Sequence, residues 1–90
     1  MSKIGIGIVT CNRNKFLKNC LQSIKKDWYD DLVIVNDGDQ PIEAIGYDII
    51  NNKTNQGVCR SKNILFEELL IKGCDYIFIV EDDMIFKDNA

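Results

Sequence analysis

The chain alternates short apolar runs with longer segments in which apolar residues recur every three or four positions. Ile4 to Val9 is apolar throughout, its glycines alternating with β-branched residues, the pattern of a central strand on which another element packs closely. Phe16, Leu17, Cys20, Leu21 and Ile24 then stand at helical spacing, with Lys15, Lys18, Lys25 and Lys26 facing water. That spacing predicts an amphipathic helix, which Asn14 can cap and which Trp28 and Tyr29 end. Leu32-Val33-Ile34-Val35 predicts a second buried strand, closed by the turn cluster Asn36-Asp37-Gly38-Asp39, with Pro41 in the loop beyond. Tyr47-Asp48-Ile49-Ile50 is a weaker third strand before the polar loop Asn51 to Gly57. Val58, Ile64, Leu65, Leu69 and Ile71 predict a second helix with Gly73 as its C-terminal cap. The last run, Tyr76-Ile77-Phe78-Ile79-Val80, reads as a buried fourth strand that breaks into Glu81-Asp82-Asp83 and resumes with Met84-Ile85-Phe86.

The order strand, helix, strand, strand, helix, strand predicts an α/β fold: a mainly parallel sheet of about four strands flanked by helices, since parallel neighbours need crossovers. Ninety residues make at most one domain, spanning 1–90, and a chain of this size buries about two thirds of the surface it exposes when unfolded. Hydrophobic content of 46% and charged content of 28% are those of a globular domain. No apolar stretch reaches membrane-spanning length, and no secretory-type start precedes the first strand, so the expected location is cytoplasmic. A net charge of −3, with no basic stripe carrying interleaved aromatics, argues against nucleic acid. Cys11, Cys20, Cys59 and Cys74 lack paired spacing and histidine is absent, which argues against zinc. All four cysteines are expected to be buried, reduced thiols.

Polar groups then gather at the ends of several strands. Thr10-Cys11-Asn12-Arg13 follows the first, Asn36-Asp37-Gly38 the second and Glu81-Asp82-Asp83 the fourth. Open α/β sheets bind ligands outside the carboxyl ends of their strands, so this convergence points to a site. Like charges as close as the acidic triplet repel, and they are tolerated best beside a cation or hydrogen-bond donors. Other chemistries fail on the residues. Gly5-x-Gly7 lies inside a strand and Thr10 takes the third glycine position, so a dinucleotide fingerprint is excluded, and no phosphate-binding P-loop occurs. A nucleophile elbow is missing, and without histidine neither a Ser-His nor a Cys-His pair can form. A response-regulator receiver would place paired acids after the first strand, where this chain has Thr10 to Arg13.

With those residues in view, the chain resembles the N-terminal, nucleotide-binding half of a GT-A fold glycosyltransferase, and looks most like family 2. The family's Pro-Thr-Tyr-Asn-Arg is matched by Val9-Thr10-Cys11-Asn12-Arg13, and its Asp-Asp-Gly-Ser by Asn36-Asp37-Gly38-Asp39. Its Asn-x-Gly and Ala-Arg-Asn-x-Gly are matched by Asn55-Gln56-Gly57 and Arg60-Ser61-Lys62-Asn63, and its DXD signature by Glu81-Asp82-Asp83. The resemblance implies a Rossmann-like half of that fold and a nucleotide-diphosphate sugar donor, in the first place a UDP-sugar. It implies that Asp37 accepts a hydrogen bond from the base, that Thr10, Asn12 and Arg13 line the base and ribose pocket, and that Arg60 faces base or phosphates with Asn63 in support. Asp82 would meet the ribose, and Asp83 with Glu81 would hold a divalent ion, Mn²⁺ or Mg²⁺, against the two phosphates.

The departures from the family pattern are Cys11 for the stacking tyrosine, Asn36 for the first aspartate, and Glu81 at the head of the acidic motif. The chain is also shorter than the family's catalytic domains, whose second half supplies the acceptor pocket and, in inverting members, the base. No residue here is therefore assigned as a catalytic base. The expectation is a donor-binding portion that transfers no sugar alone, and that either self-associates or is completed by a C-terminal half. The alternative reading is a non-catalytic nucleotide-binding or assembly module. A nucleotidyltransferase would require a glycine-rich basic loop after the first strand, which Thr10 to Arg13 is not.

Overall fold

The computed structural model describes residues 2–39, 42, 46–52 and 56–84, with the main chain alone at positions 14 and 58. The readings made on Pro41, Asn55, Ile85 and Phe86 fall outside those residues. Four strands form one all-parallel sheet: β1 (Ile4–Thr10), β2 (Asp31–Asn36), β3 (Asp48–Asn51) and β4 (Tyr76–Glu81), in the order β3-β2-β1-β4. Helix α1 (Asn14–Ser23) joins β1 to β2, and α2 (Val58–Ile71) joins β3 to β4.

Side chains alternate across a strand, so each strand serves two cores. On one face Ile6, Ile8, Leu32 and Ile34 meet Leu17 and Cys20 of α1 and Ile24 just beyond it. On the other, Val9, Val33 and Val35 meet Leu65 and Leu69 of α2, with Cys74. The glycines of β1 lie on this second face and let the helix approach. A Cβ on Gly5 would stand 2.6 Å from Cys74 Sγ and 2.8 Å from Leu69 Cδ2, and one on Gly7 would stand 3.1 Å from Leu65 Cβ. The close packing read from the alternating glycines is therefore present, and its partner is α2.

Helix α2 ends as expected at Gly73, whose φ is +85°. The Gly73 N–H bonds to the Leu70 carbonyl and the Cys74 N–H to the Leu69 carbonyl, the paired bonds of a Schellman cap. Other expectations need correction. Helix α1 stops at Ser23, Ile24 is already extended, and Lys26–Trp28 forms a separate 3₁₀ turn. Asn14 is the first helical residue rather than the cap; the cap position falls to Arg13, with no side-chain capping bond. Of the thiols expected to be buried, Cys20 and Cys74 are, whereas Cys11 and Cys59 are exposed; none of the four forms a disulfide.

The fourth strand is an edge rather than a fully buried strand. Tyr76 and Phe78 are more than half exposed, while Val80, further along the same strand, packs against the cluster under α1. An apolar hollow of about 360 Å³ remains there, lined by Ile4, Ile6, Trp28, Phe78 and Val80. Phe16 and Ile71, placed among the apolar helical positions, are exposed as well. No helix among the described residues is long and apolar enough to cross a membrane.

Candidate functional site

Strand β1 is where the chain reverses direction across the sheet, with β2 and β3 on one side of it and β4 on the other. Loops leaving the two strands at such a reversal turn to opposite faces and open a crevice at the carboxyl edge. Those loops begin at Cys11 after β1 and at Asp82 after β4. Between them lies a cleft of about 140 Å³ lined by Val9, Thr10, Cys11, Arg13, Glu81 and Asp82. Small-molecule pockets run to about 300 Å³ or more, so this cleft by itself is smaller than one.

Asp82 is its fixed point. The residue is 1% exposed. Its Oδ2 accepts the Thr10 hydroxyl at 2.8 Å and the Arg13 Nε–H at 3.3 Å, and its Oδ1 accepts Arg13 Nη2. An unpaired carboxylate buried this far is strongly destabilising, whereas a two-pronged guanidinium pair restores most of the lost solvation. Arg13 in turn stands over the Phe16 ring, 5.2 Å from its centroid. That explains why Phe16 is half exposed: it is a platform for the cation and not part of the core. Three residues expected at the site, Thr10, Arg13 and Asp82, are thus brought into direct contact.

Glu81 and Asp83 flank this pair, both exposed, on a turn closed by the Met84 N–H to the Glu81 carbonyl at 3.2 Å. Neither side chain makes a hydrogen bond or ion pair among the described residues. The acids of the opposite edge behave differently. Asp31 pairs with Lys3 and Asp48 with Lys72, each at 3.0 Å, while Asp30 and Asp75 accept main-chain N–H groups of Ile4 and Lys3. Acids at the amino edge hold the chain together, and two at the carboxyl edge are left available to a ligand.

Among the described residues no group of three or more His, Cys, Asp or Glu could hold a metal by itself. The donor set fits a different arrangement. A hard cation such as Mg²⁺ typically takes one or two carboxylates and completes its shell with phosphate and water, which Asp83 and Glu81 can supply while Asp82 stays with Arg13.

A second group of polar contacts forms at the end of β2. Asn12 adopts φ +55°, and its Oδ1 accepts the Asp39 N–H at 3.2 Å. Gly38 is pressed against it, since a Cβ there would lie 2.4 Å from Asn12 Oδ1. The loops after β1 and β2 are therefore interlocked. Asp37, 4% exposed, accepts the Asn52 amide at 2.8 Å and the Gln56 and Gly57 main-chain N–H groups at 2.7 and 2.9 Å. Burial opposes its charge, but those three donors outweigh burial and hold its carboxyl below the usual aspartate value. Arg60 donates to Gln56 Oε1 at 3.1 Å. Asn63 stands exposed on α2 and makes no hydrogen bond or ion pair among the described residues.

Two contributors were not legible as such. Asn52 lies in the polar loop after β3 and carries no signal of its own, and Asn51 accepts the buried Asn36 amide at 2.8 Å. The signal lies in the register: Asn36 pairs with Asn51, so the next residues, Asp37 and Asn52, are brought side by side. Among known proteins, the family model described as glycosyl transferase family 2 matches residues 5–90. No curated protein and no solved structure matches the chain.

Proposed function

We propose, from the premise that this chain belongs to glycosyl transferase family 2, that its carboxyl-edge cleft binds the nucleotide diphosphate of a sugar donor with a divalent cation. The observation that carries this reading is the division of labour in the acidic triplet: Asp82 is locked to Arg13 and Thr10 at the floor, while Glu81 and Asp83 stand exposed beside it. In this reading Asp37 accepts a hydrogen bond from the base, Thr10, Asn12 and Arg13 line the base and ribose pocket, Asp82 meets the ribose, and Arg60 faces base or phosphates with Asn63 in support. Asp83, with Glu81, holds Mn²⁺ or Mg²⁺ against the phosphates. Bound there, the cation neutralises the diphosphate and stabilises it as a leaving group. UDP is the first donor nucleotide to test, because an acceptor-only carboxylate near the base favours a ring N–H.

Among the described residues the acids that line this cleft are Glu81 and Asp82, and both are already assigned to donor binding in this reading. The chain by itself is accordingly proposed to bind donor without transferring its sugar.

Calorimetric titration of UDP with and without Mn²⁺ tests the reading. Exposed carboxylates repel a bare diphosphate, so binding is expected to be weak in EDTA and at least about tenfold tighter with metal. Asp83→Ala is expected to abolish the difference. Affinity indifferent both to EDTA and to that substitution would reduce the triplet to an ordinary turn.

A further inference from the structure

The ligand-free chain and the donor make competing claims on Asp82. The donor needs it for the ribose, yet the residue is 1% exposed. Exposed surface is what a water molecule can touch, and a ribose hydroxyl is no smaller than water. Its oxygens are also engaged: the Thr10 hydroxyl and the Arg13 Nε–H share Oδ2, and Arg13 Nη2 takes Oδ1. A donor hydroxyl therefore reaches Asp82 only when one of these partners gives way.

Thr10 is poorly placed to move. It ends β1 in register with Asn36, is as buried as Asp82, and its carbonyl holds the Asp37 N–H at 2.8 Å. Arg13 lies beyond the strand, at the cap position of α1, with a backbone that is neither helical nor extended. Its side chain is 45% exposed. Among the described residues its guanidinium makes no hydrogen bond or ion pair except to Asp82, and it rests on the half-exposed Phe16 ring. Arg13 is the partner free to swing.

It cannot leave Asp82 bare, because a buried carboxylate stripped of its partner is strongly destabilising. The same edge of the sheet shows what can replace a cation. Asp37 is nearly as buried, and three neutral donors, the Asn52 amide and the Gln56 and Gly57 N–H groups, hold its carboxyl below the usual value despite burial. The Thr10 hydroxyl and two ribose hydroxyls would give Asp82 the same number. Arg13 also has a place to go. It borders the same cleft as Glu81, and its guanidinium is kept protonated above its ordinary value first by Asp82 and then by Asp83 and Glu81. A diphosphate held by a cation on those last two carboxylates comes within its electrostatic reach, and phosphate oxygens suit a guanidinium's paired N–H groups.

We propose that Arg13 is a latch on the donor site: it closes Asp82 in the empty cleft, and the ribose hydroxyls displace it from Asp82 onto the diphosphate. Metal alone does not open the latch, and neither does a diphosphate without ribose hydroxyls, since either would strand Asp82. This deepens the nucleotide reading and rests on it. A site closed in this way binds its ligand more weakly in proportion to the fraction closed.

The test has two arms. In the first, Arg13 is followed by NMR in the full chain with Mg²⁺. Arg13 and Arg60 are the only arginines, so the spectrum of Arg13→Lys identifies the Arg13 side-chain signals. In the ligand-free protein they are expected to show nuclear Overhauser contacts to the Phe16 ring. Mg²⁺ alone, and Mg²⁺ with 2′,3′-dideoxy-UDP, are expected to leave those contacts in place. Mg²⁺ with UDP is expected to remove them and to shift the Arg13 Nε resonance. Contacts that survive saturation with UDP, or that vanish with metal alone or with the dideoxy nucleotide, would overturn the latch and leave the nucleotide reading standing. Failure of UDP to bind at all would overturn both.

In the second arm, UDP and 2′,3′-dideoxy-UDP are titrated calorimetrically, with Mn²⁺, into the wild type and Arg13→Lys. Lysine keeps the charge but meets Asp82 at one point instead of two, so the ribose hydroxyls displace it more readily. The ratio of UDP to dideoxy affinity is expected to rise by about fivefold in the variant. A folding defect would weaken both nucleotides alike and leave the ratio where it was in the wild type. A ratio that is unchanged or smaller in a variant shown by circular dichroism to be folded would mean that Arg13 and the hydroxyls do not compete, and would overturn the latch.

Discussion

Asp37 and Asp82 are both buried aspartates at the carboxyl edge, but their partners differ in kind. Asp82 leans on a cation, Arg13, whereas Asp37 leans on neutral donors, two of them main-chain N–H groups. The distinction predicts a pH dependence. An unfolded aspartate titrates near 3.8, and the Asp37 donors place its folded value lower. The resulting stabilisation is fully present above the unfolded value and is lost as pH falls through the folded one. In urea unfolding at pH 6, Asp37→Asn should be less stable than wild type by about 1–3 kcal/mol, because N–H groups that met an anion now meet a weaker acceptor or a donor. The gap should narrow as the pH is lowered past 3.8. An equal gap at every pH would mean that charge is not what the wild-type side chain contributes.

At the scale of elements, β1 carries the fold through what it omits. Gly5 and Gly7 present bare backbone to α2, so Leu65 and Leu69 pack directly on the strand. Gly5→Ala should therefore overfill the site between Cys74 and Leu69 and cost about 1–3 kcal/mol in urea or thermal unfolding. Combining it with Leu69→Ala should recover part of that loss, since the cavity made by one change admits the methyl added by the other. If the two losses simply add, the clash is not with Leu69.

This packing was legible from sequence because glycines alternating with β-branched residues have few other uses in a central strand. The order of elements was legible too, from the hydrophobic period of each and from the Gly73 stop, although the ends of α1 were not. The exposed face of β4 was not, since a run of Tyr, Ile, Phe, Ile and Val is the same string whether or not a helix reaches over it. Likewise Phe16 satisfies helical periodicity while serving Arg13. The site was half legible. Its acids and Arg13 sit at strand ends, where sequence order announces them. The links from Asp37 to Asn52, and through Gln56 to Arg60, depend on parallel register and could be read only once β2 and β3 were paired.

The whole molecule is two helical layers on one four-stranded sheet; ion pairs occur at both edges, and the carboxyl edge adds the exposed carboxylates of Glu81 and Asp83. Its cysteines divide by depth. Cys11 and Cys59 face solvent, while Cys20 lies under α1 on one side of the sheet and Cys74 beside α2 on the other. Burial pushes the Cys20 thiol up to about 11, and burial also raises Cys74, so neither offers thiolate to a reagent while the protein is closed. The chain consequently carries a clock on each face. Under an excess of alkylating reagent in native buffer, Cys11 and Cys59 should be consumed at once, and the other two only as fast as their own layer lifts. Peptide mass mapping through the time course should find Cys20 and Cys74 modified at one common rate if both helices leave the sheet in a single event. Should Cys20 run ahead, the shorter helix α1 would be the first layer to peel, and the cleft beside Arg13 would be the part of the molecule that breathes.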